Sequence, residues 1–125
     1  MKFICSILFL LMTFNLNASD WERRATGSNY VEYFGLVNKD LGIASLQMLR
    51  DYGSEIDYEG ETIKSIQTLR EFDCVNRNTK VTLYKGFSES MGEGEMLFEK
   101  KGETQWEKVD KGTFLEYAMR IACRI

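Results

Sequence analysis

Two carboxylate pairs, Glu93 with Glu95 and Asp51 with Glu55, have the spacing that acid–base work or calcium ligation would use. They fall in or near turn-like segments, where solvated charge is the ordinary state of a carboxylate. The 125-residue chain contains no histidine, which removes the usual general base and the usual zinc or copper ligand. Met91-Gly92-Glu93-Gly94 is glycine-rich but lacks the Gly-Lys-Ser/Thr ending of a phosphate loop. It reads instead as a turn that needs positive φ. No nucleophile–base pair is recognisable, so the chain is read as a non-enzyme with no cofactor and no metal.

Cysteine chemistry is the strongest local signal. Cys5 lies in the N-terminal apolar stretch; Cys74 and Cys123 remain beyond it. Two cysteines in an exported chain allow one pairing, and a Cys74–Cys123 disulfide would close a loop of about 50 residues, worth about 4 kcal/mol in the chain-entropy model. A two-cysteine metal site or a catalytic thiol would each need a histidine that the chain does not have.

The remaining candidates are for binding. Arg77, Asn78, Lys80 and Glu93 sit at turns or strand starts, where partner-contacting residues concentrate on rigid scaffolds. Arg70, Arg77, Lys80 and Lys85 lie on or beside adjacent strands; charged decoration that blocks edge pairing is favoured over a polyanion-binding face. Trp21, Tyr30, Tyr33, Tyr52, Tyr58 and Tyr84 include candidates for a ligand groove or partner interface, most of them expected as core or half-buried sheet residues. Asp73, with Arg70 and Arg77 nearby, reads as a structural ion pair. The formal net charge of −3 gives no electrostatic footprint for nucleic acid.

These residues are placed by elements of mainly strand character. Asn29 to Phe34 is rich in aromatic and β-branched residues. Thr62 to Cys74 carries Ile66, Thr68, Phe72 and Cys74 at even spacing. Thr79 to Phe87 alternates with Val81, Leu83 and Phe87 on one face. Met96 to Phe98 and Trp106 to Val109 are short strands, and Ile43 to Tyr52 is assigned as a strand from its neighbours although its composition also suits a helix. Asn76-Arg77-Asn78, Met91 to Gly94 and Lys101-Gly102-Glu103 form turns between them. Such close strand–turn–strand spacing favours an antiparallel meander.

The last segment changes period. Thr113 with Glu116 is a capping-box pattern, and Thr113 to Ala122 is expected as a helix with Phe114, Ala118 and Ile121 against the sheet. Glu116 and Arg120 form an i,i+4 pair on the opposite side. On ideal geometry Cys123 projects away from the apolar face, so a bridge asks the helix to end near Ala122. The fold class is α+β: an antiparallel sheet of about five to six strands with a C-terminal helix packed on one face.

The N-terminus indicates export. Lys2, the apolar run Phe3 to Met12 and the segment ending at Ala18 have the layout of a cleavable signal, giving a signal over 1–18 and a single domain over 19–125. The run is short of the roughly 20 residues that span a bilayer, so no stable membrane insertion is expected after cleavage. Cys5 stands at the start of the apolar run rather than its end, which argues against a lipoprotein anchor.

Taken in order, several short motifs carry a family likeness. They are Trp21, Tyr30-Val31-Glu32, Ser65, Glu71-Phe72-Asp73-Cys74, Asn76-Arg77, Met91-Gly92-Glu93-Gly94, Trp106-Glu107-Lys108-Val109 and a helix ending at Cys123. With these the chain resembles the bacterial surface-adhesin protein E family of small exported domains. The resemblance implies an antiparallel sheet with its C-terminal helix held by a Cys74–Cys123 bridge. It also implies a non-catalytic module binding host or extracellular macromolecules at the bacterial surface. The partner expected is a protein or other macromolecule, and homodimerisation through sheet edges is compatible with the fold. Missing lipidation chemistry points to periplasmic or secreted residence as well as the cell surface. The alternative function is a periplasmic accessory or inhibitor protein inside the envelope.

Overall fold

A computed structural model describes residues 21–125. The expected export signal over 1–18 lies outside the described residues. Seven strands form one antiparallel sheet: β1 Glu22–Thr26, β2 Tyr30–Asp40, β3 Ile43–Tyr58, β4 Glu61–Asp73, β5 Asn78–Phe87, β6 Met96–Lys101 and β7 Glu107–Lys108. Strands β1 to β6 lie side by side in chain order, and β7 pairs with the start of β5. Among the described residues a single α-helix, α1 Phe114–Cys123, follows the sheet.

The meander follows from its turns. β2 and β3 are joined by Leu41 and Gly42, with φ of 50° and 84°. β3 and β4 are joined by Glu59 and Gly60, with φ of 51° and 90°. Two successive positive φ values match the right-handed twist of the flanking strands, the geometry of a two-residue hairpin. β2 and β3 run longer than their sequence pattern suggests: β2 continues to Asp40, and β3 continues from Ile43 through Tyr58, across a bulge between Asp51 and Ile56. Strand β1 was not anticipated in the sequence; Glu22–Thr26 has little β-character and is held by pairing with β2.

Alternation divides the sheet into an inner face, under the helix, and an outer face. Phe34, Ala44, Leu46, Met48 and Phe72 point inward and pack with Ala118, Met119 and Ala122 of α1. Each large side chain so buried contributes about 1.5–3 kcal/mol. A bulge at Thr82 breaks the expected alternation of β5. Arg70 pairs with Val81 but the preceding Leu69 pairs with Leu83. Val81 consequently faces inward while Leu83 and Phe87 face outward with the odd-numbered residues of β4. One extra residue flips every side chain beyond it.

The capping pattern at Thr113 is present: its Oγ1 accepts from the Glu116 N–H at 3.2 Å. The Glu116 carboxylate reaches back one residue further than in a standard capping box, accepting from the Gly112 N–H at 2.9 Å. Its other oxygen meets Arg77 at 2.7 Å, so Glu116 pairs with the β4–β5 turn and not with Arg120. The helix face is also rotated from its expected position. Ala118, Met119, Ala122 and Cys123 are fully buried, whereas Phe114 and Ile121 are only partly so. Cys123 does not project away, and the helix does not end before it. Arg124, at φ 61°, provides a left-handed cap immediately afterwards. The bridge explains the rotation: Cys74 and Cys123 are bonded, with Cα atoms 5.9 Å apart. That bond turns Cys123 toward the sheet, and alanines at 118 and 122 let the helix approach closely.

Asp73 forms a turn rather than an ion pair. Its carboxylate accepts from the N–H groups of Val75 and Asn76, each at 3.1 Å, and from the Asn76 amide at 2.9 Å. Those bonds, the Asn76 side chain first, hold its carboxyl below the usual range.

Candidate functional site

Helix α1 covers one end of the inner face and stops. Beyond Phe114 and Leu115, at the start of the helix, the face continues as an open hollow of about 370 Å³. Its floor is Met48 and Thr68 with Ile66 and Val81, from the three central strands. Its charged residues are Glu32, Arg50 and Arg70, and its walls include Tyr52, Tyr58 and Tyr84. The volume lies at the lower end of the range for small-ligand pockets.

Alternation places the charges. Glu32 is two residues before Phe34 and therefore faces inward, where it is almost completely buried. Arg50 is its direct cross-strand partner, and Arg50 Nε donates to Glu32 Oε1 at 2.9 Å. The Arg50 guanidinium also lies 4.0 Å from the centroid of the Tyr30 ring, a cation–π contact. Burial pushes the Glu32 carboxyl above its ordinary value; the charge and hydrogen bond of Arg50 and the charge of Arg70 oppose this without cancelling it.

Arg70 is placed differently. Its Nη1 donates to Thr79 Oγ1 at 3.1 Å, and Thr79 in turn donates to the Glu71 carbonyl at 2.8 Å. Its Nε is buried without a hydrogen-bond partner, and Arg70 makes no ion pair among the described residues. Burial lowers its basicity, but a guanidinium remains charged at any physiological pH. The hollow thus holds two guanidiniums against one carboxylate.

The far wall depends on a glycine. Gly86 pairs with Phe98 across β5 and β6, and a Cβ there would overlap the Phe98 ring. Without it, Phe98 lies flat over the strand and stacks on Tyr58, centroids 5.4 Å apart and planes 11° apart. Lys100 pairs with Glu59 and lies 5.5 Å and 5.6 Å from the Tyr58 and Tyr84 ring centroids. These contacts preorganise the aromatic wall.

The chemistry available is recognition by hydrogen bonds, charge and aromatic faces. Among the described residues no three His, Cys, Asp or Glu side chains are grouped to hold a metal. Glu32 is a single carboxylate engaged by Arg50.

The four residues proposed from the sequence for partner contact are dispersed. Arg77 holds Glu116 at the helix start. Asn78 opens β5 opposite Asp73 and Lys108. Lys80 lies 4.6 Å from the Trp106 ring centroid and pairs with Glu71 on the outer face. Glu93 is an exposed residue of the loop after β5. That loop folds over the outer face, where the N–H groups of Met91 and Gly92 donate to Asp51 and Ser65 at 3.0 Å and 2.9 Å. Asp51 is therefore committed to holding the loop. The basic set also divides: Lys80 and Lys85 face outward, Arg70 inward, and Arg77 sits in a turn.

Of the six aromatics singled out, Tyr52, Tyr58 and Tyr84 meet in the hollow. Tyr30 adjoins it, its ring centroid 6.2 Å from that of Tyr52. Trp21 lies against Gly35 instead, and Tyr33 alternates to the outer face. Sequence reading missed Glu32 and Arg50. The available signal was a charged residue at an inward position of each strand, two from Phe34 and two from Met48.

Comparison with known proteins follows the same lines. A family model described as surface-adhesin protein E matches residues 20–124. Crystal form II of Haemophilus influenzae protein E superposes with a TM-score of 0.68 at 18% identity, over 85% of this chain and 88% of that one. Protein E from non-typeable Haemophilus influenzae gives 0.61 at 17% identity, over 85% of each chain. At such identities these structures share the fold. No curated protein matches the sequence.

Proposed function

This chain belongs to the surface-adhesin protein E family, and from that premise we propose that it is an exported, non-catalytic binding module. It recognises a host or extracellular macromolecule at the bacterial surface. The observation that carries this reading is the hollow beside α1. It is preorganised by the cross-strand Glu32–Arg50 pair and by the Tyr58–Phe98 stack. A wall fixed before the partner arrives avoids the ordering cost of binding. The domain operates after removal of residues 1–18; among the described residues no helix is long and apolar enough to cross a membrane.

The test is capture of extracellular-matrix components by immobilised, oxidised domain 19–125, alongside localisation of the native protein. Matrix capture together with surface exposure supports the reading. Retention in the periplasm with capture only of envelope proteins would replace it with an accessory or inhibitor role. Turnover of a substrate by the pure domain would overturn it. Intact mass of envelope-fraction protein checks the export step: a mass beginning near Ser19 is expected.

A further inference from the structure

We propose that the hollow takes a single carboxylate-bearing sugar ring, such as a uronic acid unit of an acidic glycan, with its carboxylate seated on Arg70. This rests on the reading of the chain as a binding module and names what its site would recognise.

The charge balance comes first. Arg50 is matched by Glu32, while Arg70 has no carboxylate partner among the described residues and a buried Nε without a bond. A guanidinium presents five N–H donors in a planar fork that suits a carboxylate. Here one bond to Thr79 is the protein's contribution. A cation left so poorly matched is costly, and an incoming oxyanion on the Nη edge of the guanidinium would offset part of that cost, the Nε being closed off from the surface.

The surroundings select the anion's carrier. The hollow is lined from β2, β3, β4 and β5 and backed by Phe98 of β6, on the face of the sheet rather than along a strand edge. An extended peptide binding by strand addition needs a free edge, so a hollow on the face of the sheet favours a compact group. Tyr52, Tyr58 and Tyr84 line the hollow with aromatic surface and with hydroxyls that both donate and accept, a combination suited to a sugar. The formal charge of −3 opposes long-range attraction of a dense polyanion. One carboxylate per ring fits better than a heavily sulfated chain.

The experiment titrates oxidised domain 19–125 with glucuronate, glucose, an acetylated glutamate dipeptide and inorganic sulfate, following tyrosine and arginine side-chain NMR signals. Saturable shifts at Tyr52, Tyr84 and Arg70 with glucuronate are expected, with glucose, sulfate and the dipeptide each at least about tenfold weaker. Arg70→Gln should weaken glucuronate at least about tenfold, whereas Arg120→Gln, on the exposed side of the helix and outside the lining of the hollow, should leave it unchanged. Melting curves establish that each variant folds, and the wild-type ligand ranking stands independently of any variant. No saturable glucuronate shift, equal response to glucose, or equal response to sulfate or dipeptide would overturn the proposal. If the domain captures a matrix macromolecule that glucuronate neither binds beside nor displaces, the proposal fails while the binding-module reading stands. If glucuronate binds at Arg70 but no macromolecule is captured, the site is supported and the module reading fails.

Discussion

The two ends of the inner face are built from the same strands and differ in how their polar groups are satisfied. At the covered end, the helix start is closed by Thr113, Glu116 and Arg77. The helix end is closed by Arg124, by the disulfide, and by Lys39, whose ammonium donates to the Cys123 carbonyl at 2.9 Å. At the open end, Arg70 keeps an unpaired buried nitrogen, and burial outweighs the pairing of Glu32. The covered end is arranged for stability. The open end retains unmet interactions, the condition under which a ligand gains affinity by supplying them.

The largest test of this contrast is removal of the staple. Replacing Cys74 and Cys123 together by alanine opens a loop with a sequence separation of 49, and should cost about 4 kcal/mol in denaturant unfolding. The loss should be matched by reducing the wild type. A change below about 1 kcal/mol would mean that packing alone holds the helix.

The rotated helix face gives the next effect. Met119 is fully buried and Ile121 only partly. Met119→Ala should destabilise by about 2–5 kcal/mol, and Ile121→Ala by clearly less. The reverse order would restore the face drawn from periodicity. Smaller again, Thr113→Ala removes the cap bond to the Glu116 N–H and should cost about 1 kcal/mol; unchanged chemical-denaturation midpoints would show the Gly112 and Arg77 bonds to be sufficient.

The smallest effect has opposite signs at the two ends. The bond from the Gly112 N–H, followed by the Arg77 pair, holds the Glu116 carboxyl below its ordinary value. Its stabilisation is present above that ordinary value and is lost as pH falls through the lowered one. Glu32 is raised, chiefly by burial. Its ionisation therefore costs stability above the raised value, and the cost disappears as pH falls to the ordinary one. Against acid, wild type should lose its advantage over Glu116→Gln and improve relative to Glu32→Gln. Parallel pH profiles for the two variants would show that the ends do not differ electrostatically.

Much of the fold was legible locally. Even spacing in Thr62 to Cys74 matches the inner face of β4, and the Thr113–Glu116 pattern marks the helix start. The hairpins at Leu41-Gly42 and Glu59-Gly60 were less visible, because a single glycine after an ordinary residue is a weak turn signal and positive φ at Leu41 and Glu59 is imposed by the strands around them. The hollow was legible only in fragments. Tyr52, Tyr58 and Tyr84 were visible as aromatics, but neither their meeting nor the involvement of Glu32 and Arg50 was.

What the sequence determined by itself were the features set by neighbours along the chain: strand character, the change of period at Thr113, the cap, and one possible pairing for the two cysteines left beyond the N-terminal apolar run. Tertiary structure decided which side chains meet. Register brings Glu32 against Arg50, the bulge at Thr82 separates Val81 from Leu83, and the bridge turns Cys123 and Met119 inward. The physical reason is range. Period and capping act over two to four residues, whereas register is the sum of turn lengths and bulges across the sheet, and one residue more or less reverses which face a side chain occupies.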